Sequence, residues 1–171
     1  DQKKDIADTF AGVKGAGNLD YVCCWYKIAS EYMKGKNTKT ALVSTNSICQ
    51  GEHVSILWKL IFGMGIKIDF AYRTFKWYSE SDEMAHVHCV IVGFSESQSK
   101  EMLKQVQHDK FIFDENGNKQ TVRNINGYLL DLPNVFIESR KKPICNVTEM
   151  VFGSMANDGR NLLIEADEYD E

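Results

Sequence analysis

Two β-rich runs separated by a polar loop constrain this chain more than any other stretch. They are Ile66–Tyr72 and His86–Phe94, within IKIDFAYRTFKWYSESDEMAHVHCVIVGFS (66–95). Val, Ile, Phe and Tyr at these positions favour pleated strands. The loop between them, roughly a dozen residues, is too long for a tight hairpin turn, and loops of that size are often functional. Arg73, Phe75, Lys76, Trp77 and Tyr78 stand where the first run ends. Aromatics interleaved with cations at a strand end can stack a flat ligand and hold a phosphate. Capping the edge of a core is the plainer use of the same residues.

Upstream, Leu19 to about Met33 reads as a helix, with Leu19, Val22, Cys23, Tyr26, Ala29, Tyr32 and Met33 on one apolar face. Asn18 or Asp20 is placed to cap it, and Lys34-Gly35 ends it. Thr40–Thr45 is a short strand of the buried type. After the polar turn Asn46–Glu52, a second helix is expected over Glu52–Phe62 with Val54, Leu57, Trp58 and Ile61 inward. Helix, strand, helix, strand predicts an α/β sheet with crossover connections. Ligands of such sheets sit beyond the carboxyl ends of the strands, so Ser44–Gln50 and Tyr72–Tyr78 are expected on one edge. Further on, a short helix is expected over roughly Lys100–Gln107. A small hairpin should turn at DENGN (114–118), and residues 136–164 alternate turns with short apolar pieces.

The bulk numbers narrow the class. A chain of 171 residues, 43% hydrophobic and 26% charged, suits an ordinary globular domain with a real core. It has no run of about eighteen apolar residues and no basic-then-apolar leader. Asp1 in place of an initiator Met suggests a piece of something longer. Five cysteines without a CxxC pair, mostly in apolar runs, read as reduced thiols of a cytoplasmic protein. The formal charge is −4. Setting aside the five acids of Glu165–Glu171 turns it to +1, which leaves Arg73/Lys76 and Arg140–Lys142 free to meet phosphates.

Several chemistries fall away. GVKGAG (12–17) has neither a preceding strand nor GxGxxG spacing, and reads as a loop. His86-x-His88 puts two imidazoles on one face of a strand, with Cys49 as a further donor, but no third ligand has a fixed spacing, so no metal is expected. No Ser-His-Asp order, GxSxG, Walker loop or paired catalytic carboxylates can be picked out. Asp20 and Glu31 read as solvated or capping residues. The run Ser44-Thr45-Asn46-Ser47 offers small hydrogen-bonding side chains after a strand, suited to a ligand-facing loop or simply to a turn.

DYVCCWY (20–26), ALVSTNSICQGE (41–52), IDFAYRTFKW (68–77) and HCVIVGF (88–94) together resemble the catalytic domain of MmeI-like adenine-specific DNA methyltransferases, the fused restriction-modification enzymes. NVFIESRKKPICNVTEMVFGSMANDG (134–159) resembles the segment leading from that domain into the target-recognition domain. The resemblance covers nearly the whole chain. It implies the distal part of a partial Rossmann-like, S-adenosylmethionine-dependent methyltransferase fold, α/β in class, with the last two strands antiparallel. It also implies methyl transfer to the exocyclic amine of an adenine swung out of double-stranded DNA. The implied division is 1–98 for the C-terminal half of the catalytic domain, 99–133 for a helix and hairpin extension, and 134–171 for a connector toward target recognition.

By the same resemblance Phe75 stacks on the flipped adenine, with Trp77 the second candidate, and Ser44, Thr45, Asn46 and Ser47 line the base pocket. Arg73, Lys76, Arg140, Lys141 and Lys142 are candidates for phosphate contacts. The family's glycine-rich cofactor loop and NPPF-type motif are absent from this sequence. S-adenosylmethionine is therefore expected to bind outside it, and the stretch to be inactive alone. Exposed sheet edges would favour a homodimer. The competing reading is a non-catalytic DNA-binding or specificity module.

Overall fold

The structure, a computed structural model, describes residues 1–77, 87–97, 110–140, 142 and 145–147. Two compact units divide the chain, Asp1–Glu138 and Ser139–Glu171. In the first, α1 (Gln2–Thr9) is capped by the Asp1 side chain and leads through a 3₁₀ turn, Ala16–Asn18, to α2 (Cys23–Met33). β1 (Lys39–Thr45) follows, then a 3₁₀ turn, Asn46–Cys49. α3 runs on as Gly51–His53, a π-helical turn Val54–Trp58, and Lys59–Gly63. β2 (Ile66–Trp77), β3 (Val87–Glu96), β4 (Lys110–Phe113) and β5 (Lys119–Val122) complete the described elements.

The five strands form one mixed sheet in the order β1-β3-β2-β4-β5. β3 lies between β1 and β2 and is antiparallel to both, so β1 and β2 run the same way with their carboxyl ends together. β4 adds parallel to β2, and β5 folds back on β4 around the DENGN turn. The expected antiparallel pairing of the two β-rich runs is thus present, as is the hairpin. The expected helix at Lys100–Gln107 lies outside the described residues.

Residues directly opposite in a ladder project to the same face. One face of β3 (Val90, Val92 and Phe94) is at most 1% exposed and packs with Ile68, Ala71, Tyr26 and Trp58. Tyr26 stacks on Phe94 at 5.5 Å and meets Trp58 edge-on at 5.7 Å. Val54, Leu57, Trp58 and Ile61 are all fully buried, as their helical spacing predicts. The other face carries Ala41, Val43, Ile91, Phe70, Tyr72, Phe75, Phe111 and Phe113, with no described helix over it.

Four expectations are corrected. The helix expected from Leu19, α2, begins at Cys23, and neither Asn18 nor Asp20 caps it with a side chain. Its first amides bond instead to the carbonyls of Asp20, Tyr21 and Val22, a backbone solution that frees both polar side chains for other partners. Tyr32 is 63% exposed, its ring under the Lys36 ammonium at 3.6 Å, whereas the buried neighbour is Ser30, bonded to the Tyr26 carbonyl. Finally, β1 is an edge strand of alternating exposure, not a buried one. β2 likewise does not stop at Tyr72. Irregularities at Ile68/Phe70 and Tyr72/Phe75 absorb extra residues and carry it on to Trp77.

Candidate functional site

The strand order brings the two polar segments that sequence placed on one edge into a common frame. Thr45 of β1 and Phe75 of β2 both pair with Cys89 of β3, one from each side. Two interstrand spacings separate their Cα atoms, about 10 Å. Both side chains stand on the face without described helices, above Cys89, which is only 8% exposed. Phe75 is half-buried, and its ring sits edge-on to Tyr72 at 6.4 Å. Tyr72 in turn stacks flat on Phe113 at 4.6 Å, so the aromatic row is braced by β4.

The Ser44–Ser47 segment is anchored from beneath. Ser44 points into the core, where its hydroxyl shares a hydrogen bond of 3.0 Å with Tyr26. Trp58 Nε1 donates to the Ile48 carbonyl at 2.9 Å and pins the 3₁₀ turn. Burial pushes the Tyr26 hydroxyl well above its ordinary value. Burial also pushes the Cys49 thiol up to about 11, against smaller opposing effects of the Cys49 amide and the Arg73 guanidinium.

Asp20 joins the same rim from the start of α2. Ser47 Oγ donates to Asp20 Oδ2 at 2.5 Å, and Thr45 Oγ1 lies 2.8 Å from Ser47 Oγ. The Asp20 amide donates to His53 Nε2 at 3.1 Å, with Asp20 Oδ1 3.6 Å from the same nitrogen. Asn18 Nδ2 donates to Glu52 Oε2. Sequence reasoning left Asp20 as a cap or a solvated group and did not single out His53. No local pattern marks a contact between residues 27 positions apart.

The remaining candidates fall in different places. Arg73, Lys76 and Trp77 are all in β2, with Arg73 and Lys76 exposed and Trp77 53% exposed opposite Val87. Arg140 and Lys142 are exposed residues of the second unit, and Lys141, Tyr78 and His86 lie outside the described residues. Among the described residues no three His, Cys, Asp or Glu side chains gather to hold a metal, and no helix is long and apolar enough to cross a membrane. A recess of about 400 Å³ opens at the opposite end of the strands, lined by Lys39, Ala41, Asp69, Phe70 and Phe111 among others, away from Thr45 and Phe75.

The loop GVKGAG is not built as a strand-to-helix cofactor loop. The glycines of GVKGAG take positive φ at Gly12 and Gly15 ahead of a 3₁₀ turn, and no strand delivers them to a helix N-terminus.

Residues 1–105 match the family model of the MmeI DNA-methyltransferase domain, and residues 131–171 that of the MmeI target recognition domain. DNA methyltransferase A of Bacillus subtilis (strain 168) is 42% identical over 170 residues, which is 99% of this chain and 18% of that protein. The Type IIL restriction-modification enzyme MmeI, solved in complex with DNA, is 40% identical at a TM-score of 0.75. That match covers 85% of this chain and 19% of MmeI. The chain therefore spans about a fifth of the length of these relatives. A mixed sheet with an antiparallel insertion of β3, helices on one face and a matched catalytic-domain model agree: this chain belongs to the MmeI DNA-methyltransferase family.

Proposed function

We propose that these residues form the base-stacking side of the active site of a site-specific adenine DNA methyltransferase in a restriction-modification system. The enzyme moves a methyl group from S-adenosylmethionine to the exocyclic amine of an adenine swung out of double-stranded DNA. The observation that carries the reading is the shared pairing of Thr45 and Phe75 with Cys89, which sets a small polar turn and an aromatic ring on one rim.

In this reading Phe75 stacks on the extruded adenine, and Trp77, further out, is the second aromatic. Thr45, Asn46 and Ser47 line the pocket, and Ser44 supports them from the core. Arg73 and Lys76, with Arg140, Lys141 and Lys142, hold DNA phosphates, which positions the duplex without reading its sequence. S-adenosylmethionine supplies the methyl group, and its binding residues belong to segments other than these. The residues of this chain bind and orient the base, and alone they do not methylate.

Stacking of a base on an aromatic is worth about 1–3 kcal/mol, comparable with the few kcal/mol that extrusion costs. Phe75→Ala in a full-length methyltransferase carrying these residues should thus slow methylation of duplex DNA about tenfold or more. Affinity for S-adenosylmethionine should stay within about twofold, since no contact to it is lost. Single-turnover methylation and calorimetry read the two quantities. Undiminished methylation would falsify the assignment of Phe75 and move the test to Trp77.

A further inference from the structure

The loop 124–133 spans the point where the match to the target recognition domain begins, at residue 131. It is built to hold one shape. Asn126 is 2% exposed, and its Oδ1 accepts from the Tyr128 and Leu130 amides at 3.0 and 3.1 Å while its Nδ2 donates to the Pro133 carbonyl. Leu129 is buried at φ 57°, a left-handed conformation that a leucine keeps only where its surroundings impose it. Gly127 in turn comes down on α3. A Cβ there would stand 2.8 Å from Val54 Cγ1 and 2.9 Å from Trp58 Cβ, well inside the carbon–carbon optimum of about 3.5–4 Å. Beyond the loop the chain follows α3, with Phe136 beside Phe62 at 6.3 Å and Glu138 paired with Lys59.

Trp58 closes the π-helical turn Val54–Trp58, and such turns are rare and recur at functional sites. Its ring is fully buried, edge-on to Tyr26 and tilted against Phe62 at 5.5 Å. The one polar group of that ring, Nε1–H, donates to the Ile48 carbonyl at 2.9 Å, inside the 3₁₀ turn Asn46–Cys49. One residue thus meets the loop that leads to target recognition at its Cβ and the turn after β1 at its Nε1. We infer that Trp58 is a positioning residue that couples the two: the rigid loop 124–133 sets the seat of Trp58, and Trp58 sets the turn that carries Asn46 and Ser47. A site keeps its geometry only where the residues beneath it are themselves locked by packing and hydrogen bonds. A disturbed loop should therefore act on the rate of methyl transfer, and little on duplex affinity, which comes from contacts elsewhere. The effect on rate rests on the proposed role of the turn in receiving the target base, whereas the mechanical link does not.

The test uses a full-length methyltransferase carrying these residues. Trp58→Phe keeps an aromatic ring and removes the Nε1 donor, while Gly127→Ala forces Trp58 or the loop to move. Hydrogen exchange read by mass spectrometry reports on the turn, which the Gln50 amide closes by donating to the Ser47 carbonyl at 3.0 Å. Both variants should speed exchange in peptides covering 46–50 about tenfold, the factor expected when a buried carbonyl loses its donor. Peptides of β3 should exchange as before, which separates a local opening from general loosening. Single-turnover methylation at saturating duplex should fall about tenfold in each variant, with duplex affinity kept within about twofold. The double variant should fall little further than the worse single one, because both changes act through Trp58. Unchanged exchange of the turn in either folded variant overturns the coupling, whatever the rate does, and so do additive losses. Equal losses of rate and duplex affinity overturn the positioning role in favour of a general structural one. Faster exchange without slower methylation, where Phe75→Ala does slow it, also overturns that role and leaves the base pocket standing. Where Phe75→Ala has no effect either, the base-pocket reading fails and the positioning role falls with it. Trp58→Phe is the milder change and decides the matter even if Gly127→Ala does not fold.

Discussion

A single buried hydroxyl pair ties the core to the rim. Tyr26 is fully buried between Phe94 and Trp58, and its hydroxyl meets only Ser44 Oγ among the described residues, at 3.0 Å. Removing one partner leaves the other buried without a bond, which costs about 1–3 kcal/mol, whereas removing both together can be nearly neutral. Tyr26→Phe and Ser44→Ala should each lower stability by about 1–2 kcal/mol in urea unfolding. The double variant should lose clearly less than the sum. Additive losses would show that the two hydroxyls are independent and that β1 is held by packing alone. The Tyr26 ring was legible in the sequence from its place on the apolar stripe of α2. Its hydroxyl partner was not, because Ser44 lies 18 residues on, in a strand whose register only the fold defines.

At the scale of elements, period carried the helices and the strands but not their ends. Val54, Leu57, Trp58 and Ile61 were readable at helical spacing, and they are buried as read, although a π turn interrupts the ladder they share. β2 ran five residues beyond its expected end because its irregular pairing with β3 absorbs extra residues, and side-chain alternation alone does not reveal a bulge. The β4–β5 hairpin was readable from DENGN, and it shows why turn chemistry is a strong local signal. Asp114 accepts from the Asn118 side chain and from the Asn118 and Asn116 amides at 2.8–2.9 Å. The Asn118 side-chain bond and then its amide hold the Asp114 carboxyl below the usual carboxylate range. A carboxyl depressed on folding contributes fully above its unfolded value, about 3.9, and the contribution fades as pH falls through the lower folded value. Amide-exchange protection at Asn118 should accordingly weaken as the pH is taken below about 4. Asp114→Asn, which keeps an acceptor but cannot titrate, should remove that acid dependence. Persistence of the same acid step in Asp114→Asn would assign it to another group.

For the whole molecule, the α/β class was legible because helical and strand periods alternate along the chain, the antiparallel pairing of β2 and β3 came from resemblance alone, and the insertion of β3 between β1 and β2 had no signal in the sequence. That insertion decides which surfaces remain open. Among the described residues β1 hydrogen-bonds only to β3, and its outer edge offers unpaired backbone groups from Lys39 to Thr45. Sheet edges are normally guarded by charge, proline or a bulge. Here the single charge is Lys39 at the very start, while Val43 is 51% exposed in the middle of the strand. β5, the opposite edge, is four residues long and begins with Lys119, whose ammonium sits 3.4 Å over the Phe111 ring. A short strand that opens on a cation is the poorer template, so the 171-residue chain is expected to self-associate through β1 rather than β5. Antiparallel pairing of two β1 strands would satisfy both edges and set the Val43 side chains near one another, a two-fold arrangement that closes on itself. Sedimentation velocity should then show a concentration-dependent dimer, and Val43→Lys should shift it toward monomer by placing like charges across the new ladder. A single monomeric boundary at every concentration, or a dimer indifferent to Val43→Lys but lost in a β5 variant such as Thr121→Pro, would put the contact elsewhere.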